Sequence, residues 1–311
     1  MPISLVTGGA GFIGSHLAEA LLQQGHRVLV LDDLSSGSVK NITSLRSNPK
    51  FEFVPESISS LRVLAELVDL ADVIFHLAAT VGVFNIIESP VHTIVNNIGG
   101  TEAVLKAASK KKKKVIVAST SEVYGKSAEI PFREDGDLVF GPSSKSRWSY
   151  ASSKVVDEFL ALAYWREFKV PTVVARLFNT IGPRQTGHYG MVVPRFMLQA
   201  LRGQNLTAND QSVGNIFNLG NDQEVSIEEL ARRIIAVVGT EAGIEYIPYE
   251  KAYEEGFEDM ERRVPDITRI KALTGYAPRV SLDQALRLIR DWFVNEKILE
   301  DPAMLTHMAT A

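Results

Sequence analysis

The sequence predicts an α/β fold: a doubly wound parallel sheet followed by a smaller C-terminal α/β domain. Three observations carry this. Short β-rich runs alternate with helical patterns over the first two thirds of the chain. Several of those runs, such as Val73-Ile74-Phe75, lack polar alternation, as strands buried on both faces do. A glycine cluster joins the first run to the first helical pattern.

Taken in order, the predicted strands are Ser4–Thr7, Val28–Leu31, Phe51–Val54, Val73–His76, Val115–Ala118 and Thr172–Arg176. Helical patterns lie between them near Ile13–Gln24, Leu61–Val68, Val91–Ser109 and Tyr150–Phe168. The parallel connections should be right-handed crossovers. Past Asn179 the character changes. Gly182-Pro183 and Gly187 to Gly190 are loop signals, followed by short mixed elements. Helical patterns return at Ile227–Val238 and Leu282–Asn295, with Ser226 and Ser281 as N-caps. The reading is a first domain over 1–178 and a second over 179–311, mainly for substrate, closing over the carboxyl ends of the strands, where ligands of open α/β sheets sit.

Composition narrows the function classes. At 311 residues, 45% hydrophobic and 23% charged, the chain reads as soluble and globular, and it can bury a core without metal or disulfide. The net charge of −4 gives no basic field for nucleic acid. The run Lys110–Lys114 reads as a solvated helix-to-strand turn rather than a polyanion patch. With no cysteine, thiolate catalysis, disulfides and cysteine metal sites are excluded, and nothing calls for a metal. A strand beginning at Ile3 leaves no room for a signal peptide, and no apolar run is long enough to span a membrane, so a cytoplasmic location is expected.

The strongest motif is Thr7-Gly8-Gly9-Ala10-Gly11-Phe12-Ile13-Gly14, directly after a strand and opening a helix. Gly8, Gly11 and Gly14 permit a tight turn, close approach to a pyrophosphate and tight helix–strand packing, and the helix N-terminus offers free N–H groups. Asp32, with Asp33 beside it, stands about twenty positions on, at the end of the second strand. A carboxylate there accepts hydrogen bonds from ribose hydroxyls and repels a 2′-phosphate, so the Rossmann-like domain should take NAD rather than NADP.

Tyr150 and Lys154 stand four apart in a helical pattern, on one face. A phenol is a poor base at neutral pH, but a neighbouring ammonium favours phenolate. Tyr150 is therefore a candidate base for a sugar hydroxyl, with Lys154 lowering its pKa and holding the cofactor ribose. By itself such a pair is common by chance; the fingerprint gives it weight. Ser119-Thr120-Ser121-Glu122-Val123-Tyr124-Gly125 follows the strand Val115–Ala118 at its ligand-facing end. Thr120 or Ser121 can hydrogen-bond the reacting sugar oxygen, and Glu122 is a candidate general acid or base, or else a partner for a loop N–H.

Together these motifs resemble the extended short-chain dehydrogenase/reductase family, specifically its nucleotide-sugar epimerases, dehydratases and decarboxylases. The resemblance runs over nearly the whole chain and includes Phe75-His76-Leu77-Ala78-Ala79, Asn97-Ile98-Gly99-Gly100-Thr101, Arg176-Leu177-Phe178-Asn179 and Gly182-Pro183-Arg184-Gln185. It implies cofactor contacts from Phe12, Ile13, Leu77, Ala78, Ala79 and Asn97. It implies nucleotide-sugar contacts, a UDP-sugar foremost, from Asn179, Arg184, Val192 and Val193. Relatives also pair helices like Val91–Ser109 and Tyr150–Phe168 in a homodimer; packing on their own sheet alone is the other reading.

Members of the family begin by oxidising the sugar at C4. Similar 4,6-dehydratases carry Asp-Glu where this chain has Ser121-Glu122, so the acid that expels a C6 hydroxyl is missing. Thr120 to Gly125, Arg147-Trp148-Ser149-Tyr150 and Arg263-Val264-Pro265-Asp266-Ile267 look most like UDP-glucuronate decarboxylases. There the C4 ketone makes a β-keto acid, and Glu122 and Arg263 are candidates to steady the enolate and protonate C5. Arg263 reads equally well as a structural or diphosphate-binding arginine. A UDP-hexose 4-epimerase and a catalytically idle NAD-binding sensor remain the alternatives.

Two departures from the family stand out. Glu56-Ser57-Ile58 replaces a Gly-Asp-Ile whose Asp meets the adenine amine, leaving Ser57 as the acceptor beside Ile58. After a segment like Asn205-Leu206-Thr207, relatives carry a strand, an arginine-bearing loop and a helix before the equivalent of Gly214-Asn215-Ile216-Phe217; here only Ala208 to Val213 intervene. Either a nucleotide-binding block is absent, or residues around Thr207–Asn209 are omitted. The apolar surface that loss of a helix would bare favours omission or disorder over a compact form.

Overall fold

The structure, a computed structural model, describes residues 1–81, 89–185, 213–241, 243–244, 260, 262–278 and 280–296. Among these residues seven parallel strands form one sheet: β1 (Ile3–Thr7), β2 (Arg27–Leu31), β3 (Phe51–Val54), β4 (Val73–His76), β5 (Lys114–Thr120), β6 (Thr172–Leu177) and β7 (Asn215–Leu219). Their order is β3-β2-β1-β4-β5-β6-β7, so the order reverses between β1 and β4. That reversal opens a crevice at the carboxyl ends of the strands.

Helices cover both faces: α1 (Phe12–Gln23), α2 (Leu61–Leu70), α3 (Pro90–Ser109), α4 (Arg147–Phe168), α5 (Ile227–Val238), α6 (Thr268–Thr274) and α7 (Leu282–Asn295). The strands look continuously apolar because successive residues enter opposite cores. Val6, Val28, Val30 and Phe75 pack with Leu17 and Leu21 of α1 and with Ile270 of α6. Leu5, Leu29 and Ile74 pack with Leu64 and Leu67 of α2, Val104 and Leu105 of α3 and Ala161 of α4.

The six expected strands and six expected helical stretches all form. Ser226 caps α5 by accepting from the Glu229 amide, and Ser281 and Gln284 form a capping box on α7. The lysine run is a turn between α3 and β5, with Lys111 paired to Asp69 at 2.9 Å. β7 was not expected. It lies beyond residue 179 yet pairs with β6, so the sheet draws on the chain past the first 178 residues. α6 was not expected either; its seven residues are too few for a periodic signal. Among the described residues no helix is long and apolar enough to cross a membrane.

Candidate active site

The turn from β1 into α1 builds the floor of a cleft at the crevice. Gly8 has φ +71°, and a Cβ there would lie 2.8 Å from the Ala78 amide nitrogen. A Cβ on Gly14 would lie 2.2 Å from the Gly8 carbonyl oxygen, so α1 rests directly on the turn. Gly11 is the N-cap and has no side chain to cap the first amides. Those N–H groups are left for an anion.

At the end of β2 the Asp32 carboxylate accepts from the Ala10 amide at 2.9 Å and from the Leu34 amide at 2.8 Å. Burial pushes its carboxyl above the usual range, against the lowering effect of those amides. Asp33 accepts from the Ser35 amide at 3.0 Å. Past β4, Leu77, Ala78 and Ala79 form the facing wall. His76, just before them, is held by Thr7 and Thr101 hydroxyls at 2.9 and 3.1 Å. Burial, with Lys154 nearby, pushes its imidazole down to about 3.

The other end of the cleft gathers the chemistry. Ser119, Thr120, Ser121 and Glu122 line it from the end of β5, and Tyr150 and Lys154 line it from the first turns of α4. The helix starts three residues before the expected Tyr150, which places the tyrosine within its first turn. Thr120 Oγ1 accepts from the Glu122 amide at 3.3 Å and begins a 3-10 turn over Ser121–Tyr124. Lys154 Nζ donates to Asp157 Oδ2 at 2.7 Å. From beyond β6, Asn179, Thr180, Arg184 and Gln185 complete the lining. Arg184 pairs with Glu19 of α1 at 2.7 Å, and His16 of α1 meets the Pro183 carbonyl at 2.9 Å. Arg263, distant in sequence, also lines the cleft, with Nη1 3.9 Å from Glu122 Oε1.

One cleft thus brings together Gly8, Gly11, Phe12, Ile13, Gly14, Asp32, Asp33, Ile58, Leu77, Ala78, Ala79, Thr120, Ser121, Glu122, Tyr150, Lys154, Asn179, Arg184 and Arg263. Two expected residues stand differently. Asn97 is buried behind the lining, accepting from the Thr80 amide at 2.7 Å and donating to Ser153; its neighbour Asn96 faces the cleft instead. Ser57 accepts from Ser59, while Glu56 reaches the lining. Val192, Val193 and the shortened stretch around Thr207–Asn209 lie outside the described residues. Sequence reasoning missed Ser35, Ser36, Asn41, Asn96, Thr180 and Gln185. Ser35 and Ser36 follow the acidic pair directly and were the findable ones.

The residues fit a bound dinucleotide: a glycine cradle that a Cβ would fill, uncapped amides at α1 and a carboxylate at the end of β2. Fold and cleft together define a dinucleotide-dependent enzyme of the extended short-chain dehydrogenase/reductase class. The profile of the family described as GDP-mannose 4,6 dehydratase matches residues 5–218, and the chain belongs to that family.

Similar relatives include the UDP-N-acetyl-alpha-D-glucosaminuronate decarboxylase of Bacillus cytotoxicus, 41% identical over 314 positions, covering 93% of this chain and 97% of the relative. The UDP-glucuronic acid decarboxylase 1 of Xenopus tropicalis is 34% identical, covering 94% and 72%. Among solved structures, the UDP-glucose 4-epimerase of Thermotoga maritima superposes with a TM-score of 0.80 at 28% identity, covering 95% and 99%. The UDP-glucuronic acid 4-epimerase of Bacillus cereus, in complex with UDP-glucuronic acid and NAD, reaches 0.77 at 27%, covering 94% and 99%. The 314 positions aligned with the Bacillus cytotoxicus relative exceed 93% of 311 residues, so it carries positions without counterpart here.

Proposed function

We propose that this chain decarboxylates a UDP-hexuronate, UDP-glucuronate to the UDP-xylose type of product, with NAD recycled. The observation that carries the reading is the pairing of Glu122 with Arg263 in the same cleft lining as Tyr150 and Lys154. The relatives named as uronate decarboxylases support it.

Gly8, Gly11, Phe12, Ile13 and Gly14 would hold the pyrophosphate of NAD, Asp32 and Asp33 its adenosine ribose, Ile58 its adenine, and Leu77, Ala78 and Ala79 its middle. When bound, NAD supplies a hydride acceptor, and later the donor, at sugar C4. Tyr150 takes the proton of the C4 hydroxyl, Thr120 or Ser121 hydrogen-bonds that oxygen, and Lys154 steadies the phenolate. A uronate oxidised at C4 is a β-keto acid: the C5–C6 bond breaks, carbon dioxide leaves, and its electron pair becomes an enolate. The Arg263 guanidinium offsets that charge, and Glu122 takes up a proton from solvent and passes it to C5. Asn179 and Arg184 take the nucleotide diphosphate.

A second reading of the sugar has its own support: the relative at 41% identity is named for the 2-acetamido uronate, those near 34% for the plain one. Proton NMR of UDP-glucuronate and its 2-acetamido analogue, each incubated with protein and NAD, separates the two. Conversion of either to a pentose supports decarboxylation and identifies the sugar. Inversion at C4 with the carboxylate kept would replace it with epimerisation.

The chain works as a homodimer in the cytosol under this proposal. Val91 and Val95 of α3 and Phe159 of α4, 74%, 65% and 67% exposed, lie on two helices that pack against each other, a paired apolar face suited to a second copy. Light scattering giving a monomer mass would contradict that. The absence of cysteine fits a reducing compartment.

A further inference from the structure

Tyr150, Lys154 and Asp157 stand four and then three apart along α4, so they share one face of the helix. Asp157 is wholly buried, and Lys154 is 3% exposed. Nζ of Lys154 donates to Oδ2 of Asp157 at 2.7 Å, while Oδ1 of Asp157 is buried with no hydrogen-bond partner among the described residues. A buried carboxylate with half its capacity unmet is costly to fold around. A residue kept only for stability would do better as an apolar side chain in that place.

The charges around the pair are otherwise matched. Glu158, next on the helix, is held by Arg176 of β6 through two bonds, 2.9 and 2.7 Å. Glu122, on the turn after β5, pairs with Arg263. His76 of β4 is neutral, and α3 presents the uncharged Asn97 and Thr101 toward these elements. Among the described residues, Asp157 is therefore the carboxylate paired with Lys154.

We infer that Asp157 is a positioning residue for the Tyr150–Lys154 couple. It fixes the ammonium by a short charge-assisted bond, and it shares the positive charge that would otherwise act wholly on the tyrosine oxygen. The couple is thus a graded triad: Lys154 makes the phenol acidic enough to act as a base, and Asp157 limits how far. A phenolate stabilised too far would hold its charge and return no proton to the sugar oxygen when hydride comes back to C4.

The inference rests on the role given to Tyr150 and Lys154, so the test does not depend on turnover. Tyr150 ionisation is read as the phenolate ultraviolet difference between the NAD-loaded protein and its Tyr150→Phe variant across a pH series. The same series is taken in an Asp157→Asn background. The amide keeps the shape and an acceptor for Lys154 but removes the charge. The phenolate signal should then appear about one pH unit lower than with Asp157 present, with NAD affinity changed less than about threefold. Asp157→Ser, smaller and also uncharged, gives the same readout if the amide does not fold. A titration that superimposes on the parent in a folded variant would overturn the inference and leave Asp157 a structural residue. Activity retained in Tyr150→Phe would instead overturn the underlying role of the tyrosine.

Discussion

Arg263 Nη1 stands 3.9 Å from Oε1 of Glu122, which joins a segment just ahead of α6 to the turn that ends β5 within one cleft lining. Neither residue lies within a hundred positions of the other. If the pair serves the enolate, Arg263→Ala should lower kcat by about 10² to 10³. A 4-keto sugar should then become visible by NMR. A rise in KM with kcat untouched would assign Arg263 to diphosphate binding instead.

Tyr150→Phe should lower kcat at least about 10²-fold, within the range for loss of a positioned acid–base group. NAD affinity, measured by calorimetry, should survive, because the cradle is built by other residues. A variant as active as the parent would remove Tyr150 from the chemistry.

The glycines of the first turn are not equivalent to glycines elsewhere. At Gly14 a Cβ would meet backbone at 2.2 Å, and backbone cannot swing aside. Gly14→Ala should therefore weaken NAD binding and lower Tm. Gly99, in α3, has nothing within 4 Å of such a Cβ. Gly99→Ala meets nothing within its own chain and should leave NAD binding unchanged. Thermal melts of the two variants with and without NAD check both.

Glu158 and Arg176 form a buried bidentate pair, and Ser119 adds a bond to Glu158 at 2.6 Å. Removing one partner leaves the other charge buried alone. Glu158→Gln should cost about 3–5 kcal/mol in urea unfolding. A loss below about 1 kcal/mol, the ordinary value of an exposed pair, would contradict the account.

His76 is neutral in the fold, its imidazole pushed to about 3 by burial. The unfolded chain takes up that proton near the ordinary value of 6.5, so its stability contribution is present above that pH and is lost as pH falls towards 3. By pH 5 the loss should be roughly 2 kcal/mol. His16 and His26, also lowered by burial, act in the same direction. Urea unfolding at pH 7 and pH 5 should show a drop that His76→Asn makes smaller; an equal drop in both would contradict the assignment.

Much of this was legible from the residues. β1, the glycine turn and Asp32 announce themselves because backbone geometry and phosphate chemistry restrict what can stand there. Tyr150 and Lys154 were legible only beside that turn, since their helical spacing alone is common by chance. The pairing of Glu122 with Arg263 was not readable, since it depends on how a distant loop folds back, although both residues were candidates. β7 escaped because Asn215–Leu219 is five residues, two of them asparagines, with no flanking periodicity. Asn97 was expected at the cofactor, but a one-residue step turns a helical side chain by about 100°. That is enough to send Asn97 behind the wall and Asn96 into the cleft.

The most direct test of the central claim uses UDP-glucuronate labelled with carbon-13 at C6, incubated with the protein and NAD in deuterated water. Decarboxylation should give labelled carbon dioxide or bicarbonate, a UDP-pentose bearing one deuterium at C5, and no net accumulation of reduced cofactor. Label retained in the sugar carboxylate, whether or not C4 is inverted, would contradict it.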